Sequence, residues 1–519
     1  IQFYIMFINK ISNCQFMINN FVQRIFLTFF MIVFFSCEKN HGKIFNQNDI
    51  WIKNGAIVDG TGSKMFFSDI VINGDSISYI GKVPKETNAK KIIDAKGMLV
   101  SPGFIDSHAH GNPFKTPLFE NFTSMGVTTI TLGQDGTSPS IDPYSIWASQ
   151  VDDLRLGPNI ASLVGHGSLR MRSGIGYKTK PNENEIKKMK SLLRDDLSSG
   201  AFGMSTGLEY VPGRYAKQVE LNALAKTVGE FNGIIMSHMR TENNSTMELD
   251  LQELFGQGDH SNVHISHIKV VYGKGVDRAN EILNYMKAKR QSSKFSVTAD
   301  IYPYLASYTT IGILFPEYAL PPNNYSNVLK NRRSDLLAYV YNKVMLRNGP
   351  EATLFGTAPY KGLTLKEVSD SLNKSFQEIV VDIIGPNGAG AAYFTMDKEL
   401  QYQLMKDENI AISSDGSPTM YHPRGYGSFA KIIEQFVLKE NIFSIEEAVR
   451  KMTSLPADLL GIVNRGKILV GYKADILIFD PSKIKSNATF SNPHLLASGF
   501  DNIIINGKTE IGSGILLRK

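Results

Sequence analysis

Two histidines one residue apart close an apolar run in Ser101-Pro-Gly-Phe-Ile-Asp-Ser-His-Ala-His110. Side chains on a strand repeat every two residues, so His108 and His110 share a face and form a chelating pair. Alone, the pair reads equally well as a polar strand end. The rest of the chain shifts that balance, because His238, His267 and Asp415 close three further strand-like runs. Four imidazoles and one carboxylate meeting at a common rim make a zinc-type ligand set, since neutral imidazole and carboxylate oxygen suit a borderline metal. The remaining histidines, His41, His166, His260, His264, His422 and His494, lack that placement.

Counting in twos adds neighbours on the same faces: Lys269 with His267, Arg240 with His238, and Tyr302 and Tyr304 with Asp300. Arg424 lies nine residues past Asp415, in Tyr421-His-Pro-Arg-Gly-Tyr-Gly. Cations and a phenol beside a metal are what an anionic substrate carboxylate requires. The plain alternative is that these are solvated charges or ion-pair partners. Lys269 and Arg424 are favoured as functional, and Arg240 stays undecided.

The elements that must carry these residues are eight strand-like runs with helical or loop stretches between them. They are residues 103–110, 127–133, 159–165, 200–206, 233–238, 263–269, 296–302 and 410–415. After Pro181-Asn182, the residues Ile186, Met189, Leu192 and Leu193 fall at helical spacing. Eight β/α repeats predict an α/β fold, a (β/α)8 TIM barrel over residues 103–465, with its site where the strands end. His264, three residues before His267, is expected to face away from the barrel interior. Residues 305–409 are too long for one loop and are expected to form an insertion or lid. Short alternating strands and Asn-Gly pairs, read as hairpin turns, occupy residues 50–102 and return in 466–519. Both ends are therefore expected to build one small β-sandwich into which the barrel is inserted.

The chain has 519 residues, 42% hydrophobic and 20% charged, an ordinary globular composition. A net charge of +6, with no basic run bearing interleaved aromatics, gives little support to nucleic-acid binding. The two cysteines, Cys14 and Cys37, precede the folded region, so neither a disulfide framework nor a four-thiolate zinc site is available there. Residues 1–16 read as sequence upstream of a start at Met17. Arg24 and the apolar run 25–35 then form a signal segment too short to span a bilayer. Phe34-Phe35-Ser36-Cys37 resembles a bacterial lipoprotein cleavage box, so lipid on Cys37 and a tether over 38–49 are expected to anchor a periplasmic or cell-envelope protein, with no other membrane contact.

Taken together and in order, the motifs resemble the metal-dependent amidohydrolase superfamily and, within it, the N-acyl-D-amino-acid deacylase (D-aminoacylase) family, over nearly all of residues 50–519. The resemblance is carried by Gly103-Phe-Ile-Asp-Ser-His-Ala-His, Gly165-His-Gly-Ser-Leu-Arg170, Ser205-Thr-Gly-Leu-Glu-Tyr-Val-Pro-Gly213, Ser237-His-Met-Arg240, Ser266-His-Ile-Lys269, Asp300-Ile-Tyr-Pro-Tyr304, Ser413-Ser-Asp-Gly416 and His422-Pro-Arg424. The family resemblance implies a cysteine metal ligand in Gly-Asn-Cys-Gly after the second strand. Here the stretch is Gly133-Gln-Asp-Gly136, which makes Asp135 the leading candidate for that position. The fourth strand also lacks the lysine that many relatives carboxylate into a bridge.

The resemblance further implies a tight metal at Asp135, His238 and His267 and a second, weakly occupied site at His108, His110 and Asp415. Asp415 would move the proton, and Lys269, Tyr302 and Arg424 would hold the substrate carboxylate. Zinc is the expected cofactor, with manganese or cobalt beside it because carboxylate is harder than thiolate. The expected partner is a small molecule, an N-acylated amino acid of D configuration. Another amidohydrolase, a cyclic-amide hydrolase or dipeptidase, is the nearest rival reading. An inactive, membrane-anchored binding protein is the more distant one. Oligomeric state is not readable.

Overall fold

The computed structural model of the protein describes residues 48–84, 87–138 and 142–519. The signal segment, Cys37 and nearly all of the tether lie outside the described residues. No helix among the described residues is long and apolar enough to cross a membrane.

Eight parallel strands build the barrel: Phe104–Asp106, Val127–Leu132, Asn159–Ser162 continuing as Val164–Gly165, Gly203–Gly207, Ile234–His238, Asn262–Ile265, Val297–Ile301 and Ile410–Ile412. The third strand changes partner in mid-course. Its first half pairs with the second strand and its last residues pair with the fourth. Closure is made beyond the ends of the first and eighth strands, where Ala109 bridges Gly416, Asp415 N donates to His108 O at 2.8 Å and His110 N to Gly416 O at 2.8 Å. The bonds that close the barrel therefore run through the segments that carry candidate ligands.

Helices cover the outside, as the βα alternation requires. Glu183–Ser198 starts with a reciprocal capping box between Asn182 and Glu185 and buries Met189, Leu193 and Leu197. The barrel interior below the strand ends is filled by Ile105, Leu163, Phe202, Met236 and Ala411. Leu517 packs into the same cluster, held by Leu517 N donating to Ile160 O at 2.8 Å.

Strands from both ends of the chain share one seven-stranded sheet: Asn48–Ile57, Phe66–Asn73, Ser76–Gly81, Ala89–Asp94 and Leu99–Pro102 with Ile476–Phe479 and Asn502–Ile504. The expected sandwich is thus built as one hydrogen-bonded sheet around an aliphatic core that includes Ile52, Ile70, Ile72, Ile476, Ile478 and Ile504. Asn54-Gly55 corrects one hairpin expectation, since it is a bulge inside the single strand Asn48–Ile57. Asn54 takes φ 59° and its side chain donates to Asp94 Oδ1 at 2.9 Å. A β-carbon on Gly55 would press on Val100, so the pair serves close packing rather than chain reversal.

The insertion between the seventh and eighth barrel strands is a substructure with its own core. Its antiparallel sheet pairs Ser307–Thr310 and Thr353–Phe355 with Gly390–Tyr393, and helices Tyr325–Leu346 and Leu365–Leu372 pack beside it.

Candidate metal centre

Asp135, His267 and Asp415 all follow strand ends and all take left-handed backbone, with φ of 52°, 38° and 48°. That region is sparsely populated by residues with a β-carbon and costs on the order of 1–3 kcal/mol per residue. Three such residues in one place turn their side chains inward at the barrel mouth. Asp135 has left-handed glycines close by at 133 and 136. A β-carbon on Gly133 would run into the Leu163 carbonyl, so only glycine fits there.

Asp135 lies between the imidazoles. Its Oδ1 is 3.4 Å from both His108 Nε2 and His267 Nε2, and its Oδ2 is 3.4 Å from His110 Nε2. Asp415 Oδ1 lies 3.2 Å from His110 Nε2 and 3.7 Å from His108 Nε2. His238 Nδ1 is 3.0 Å from His267 Nε2. All six sequence-nominated donors are therefore together. Donor atoms of His108, Asp135, His267 and Asp415 lie within 4.8 Å of one another. His108 Nε2 and Asp135 Oδ1 are buried with no hydrogen-bond partner, the state of two atoms shaped to meet a cation. The set of nitrogen and oxygen donors fits a divalent metal.

Burial alone would neutralise these groups, but they oppose it in one another. It lowers His110 and His267, yet the Asp135 and Asp415 carboxylates outweigh it and raise them to about 9 and about 10. It disfavours the Asp415 carboxylate, yet Arg424 and His267 hold its carboxyl well below the usual range.

A layer of carboxylates behind the donors was not singled out in the sequence. Glu209 Oε2 lies 3.1 Å from His238 Nε2, which leaves Nδ1 facing the centre. Glu242 Oε1 lies 3.2 Å from His267 Nδ1 and accepts from Lys269 Nζ at 2.6 Å. Asp300 Oδ1 accepts from His267 N at 2.6 Å and from Ser413 Oγ at 2.9 Å. Such partners fix ring orientation and ligand basicity. The only available signal was placement, since Glu209 and Asp300 sit inside the quoted motifs and Glu242 lies four residues past His238.

The cavity above this centre has a volume of about 530 Å³ and is lined by barrel loops and by the insertion. Arg424 enters it with Nη1 2.8 Å from Asp415 Oδ2. Its backbone N donates to His422 Nδ1 at 3.0 Å, and His422 Nε2 donates to Ala306 O at 3.0 Å. Those partners assign the His422 tautomer, and burial with the nearby Arg424 keeps the ring neutral. The Tyr302 ring lies 4.8 Å from the Arg424 guanidinium and 5.9 Å from Lys269 Nζ. Its hydroxyl is buried with no partner, and burial pushes the phenol up to about 12.

Lys269 lines the cavity, but its amine is engaged by Glu242 and by His267 Nδ1 at 2.7 Å. Arg240 pairs with Glu253 at 2.8 Å and caps carbonyls, away from the centre. Tyr304 donates to Pro423 O. His264 corrects an expectation, since it points into the barrel, paired in register with Met236 and bonded to Asp300 Oδ2 at 2.7 Å. The strand ends at Ile265 and His267 reverses hand, so counting back from His267 in twos gives the wrong face.

Comparison with known proteins agrees with this geometry. The amidohydrolase family model matches residues 402–509. An N-acyl-D-glutamate deacylase of Alcaligenes xylosoxydans xylosoxydans is 29% identical over 489 residues, covering 88% of this chain and 93% of that protein. A D-aminoacylase of the same organism is 30% identical over 490 residues, with 88% and 93% covered. Among solved structures, N-acyl-D-glutamate deacylase from Bordetella bronchiseptica, complexed with zinc and a phosphonate inhibitor, superposes with a TM-score of 0.80 at 27% identity. That likeness covers 91% of this chain and 100% of the other.

Proposed function

The chain belongs to the D-aminoacylase family of amidohydrolases, and from that premise we propose that it hydrolyses N-acyl-D-amino acids to a carboxylic acid and a free D-amino acid. One observation carries the reading. Asp135 and Asp415 meet the imidazoles of His108, His110 and His267, with His238 3.0 Å from His267, at the mouth of a cavity lined by Arg424, behind which the Tyr302 ring is buried.

His108, His110, Asp135, His238, His267 and Asp415 would hold the metal, as one tight ion with a weaker second. Zinc suits this sulfur-free set, and manganese or cobalt suit it as well. When bound, the ion supplies Lewis-acid polarisation of the amide carbonyl and acidifies water. Asp415 takes the proton from the attacking water and returns it to the leaving amine. Its Oδ2 is held by Arg424, so Oδ1 is the oxygen that faces the imidazoles. Arg424 and Tyr302 receive the substrate carboxylate, and His422 fixes the Arg424 backbone from below. Lys269 supports that pole of charge while tied to Glu242.

The test is hydrolysis of matched N-acetyl-D- and N-acetyl-L-amino acids by the metal-loaded full chain. D-selective cleavage, lost on chelation and lowered by about 10²–10⁴-fold in Asp415→Asn with metal content retained, is the expected result. Absence of cleavage with metal bound overturns it and points to cyclic amides or dipeptides. Lipid attachment at Cys37, proposed on the Phe34-Phe35-Ser36-Cys37 box alone, would place the reaction in the cell envelope. Cys37→Ser should then release the protein from membranes on fractionation.

A further inference from the structure

Four arginines are buried among the described residues: Arg170, Arg347, Arg424 and Arg465. Arg170 is paired with Glu220, Arg424 with Asp415 and Arg465 with Asp475. Arg347 is the exception. It is 5% exposed, forms no ion pair among the described residues, and its Nε is buried without a hydrogen-bond partner. A buried guanidinium without an anion is costly, because desolvation is not repaid by a partner.

Arg347 follows the insertion helix Tyr325–Leu346 and lines the same cavity as the candidate metal centre. Its guanidinium lies over the Tyr393 ring at 4.7 Å, which holds the plane in place. Among the described residues, none of its polar neighbours forms an ion pair with it. Tyr272 is a neutral phenol beside it: burial raises that phenol, and the charge and hydrogen bond of Arg347 only partly offset the rise. Glu209 is an anion that feels Arg347 at longer range, with no direct ion pair between them and its Oε2 against His238 Nε2 at 3.1 Å.

The cavity thus has two cationic poles. Arg424 stands on the Asp415 side, and Arg347 stands on the Glu209 and His238 side. A monoanionic substrate with an apolar side chain satisfies only the first pole. We propose that Arg347 binds a second carboxylate, carried on the side chain of the amino acid, so that the preferred substrates are N-acyl derivatives of acidic D-amino acids. This rests on the deacylase reading given above. It adds a residue that distinguishes an acid from its isosteric amide, because a guanidinium donates to a carboxylate in two parallel bonds and to an amide oxygen in one.

The experiment compares N-acetyl-D-glutamate, N-acetyl-D-glutamine and N-succinyl-D-glutamine with the metal-loaded full chain. The expected kcat/KM is about 100-fold higher for the first than for the second. In Arg347→Gln that ratio should fall to within about 5-fold, and Arg347→Lys should retain an intermediate preference. Equal turnover of acid and amide by the unaltered protein overturns the proposal, as does a ratio that survives Arg347→Gln. Preference for the succinyl substrate over the acidic side chain moves the second carboxylate to the acyl arm and overturns the assignment to the side chain. Failure of the deacylase reading is separable, since it abolishes turnover of all three compounds. Calorimetric binding of N-acetyl-D-glutamate against N-acetyl-D-glutamine, in the unaltered protein and in Arg347→Gln, then decides the subsite alone. Tighter binding of the acid that depends on Arg347 supports it, and equal binding overturns it.

Discussion

Asp135 places two oxygens among three imidazole nitrogens, each at 3.4 Å, and a carboxylate there has a different appetite from a thiolate. Hard oxygen weakens discrimination in favour of zinc and leaves no sulfur to oxidise. Asp135→Ala should lower metal affinity by at least about 100-fold in competition with a chelator, more than loss of a supporting group costs. Asp135→Cys should keep the metal while raising the preference for zinc over manganese by about tenfold or more. Equal metal affinity in Asp135→Ala would remove the residue from the ligand set. Glu209→Gln, acting only through His238, should lower metal affinity by about 10-fold and leave the fold intact by circular dichroism. The donors themselves were legible because each closes an apolar run. Their supporting carboxylates were not, because Glu209 and Glu242 stand in loops where sequence spacing sets no direction.

At the scale of elements, the strands bring the residues to the rim and the left-handed positions aim them. Period-two reasoning located His238 and His267 but put His264 on the wrong face, since the alternation ends with the strand at Ile265. The helix Arg424–Lys431 follows the last strand after a loop and ends on Lys431, whose amine lies 4.0 Å over the Tyr304 ring. Burial pushes this ammonium down to about 8 from an ordinary 10.5, with Glu440 offsetting part of the fall. Between those values the unfolded chain holds the extra proton, so stability rises with pH across that window. Below it, the buried charge is a cost. Lys431→Met should therefore add about 2 kcal/mol in urea denaturation at pH 7, with the gain shrinking as the pH approaches 10. A gain independent of pH would show that the ammonium is not the cause.

On the scale of the whole molecule, barrel and terminal sheet are locked by one buried polar cluster. Asp475 pairs with Arg465, accepts from Asn506 N at 2.8 Å and from Asn159 Nδ2 at 3.2 Å, and Asn159 begins the third barrel strand. Asp475→Ala leaves a buried guanidinium unpaired and should cost about 3–5 kcal/mol, read as a lowered urea midpoint. An unchanged midpoint would mean that the two parts are held by apolar packing alone. The barrel and its strand order were legible from eight spaced apolar runs. The insertion was visible only as excess length, and its gift of Arg347 to the cavity required the folded chain, because nothing local marks that arginine as buried.

Strand Leu99–Pro102 pairs with Ile476–Phe479, a partner more than 370 residues further along the chain. During synthesis the early strand must wait on the order of a minute for the ribosome to deliver that partner. Its edge stays open to other chains for that interval, which makes crowding, chaperone supply and translation speed the natural determinants of yield.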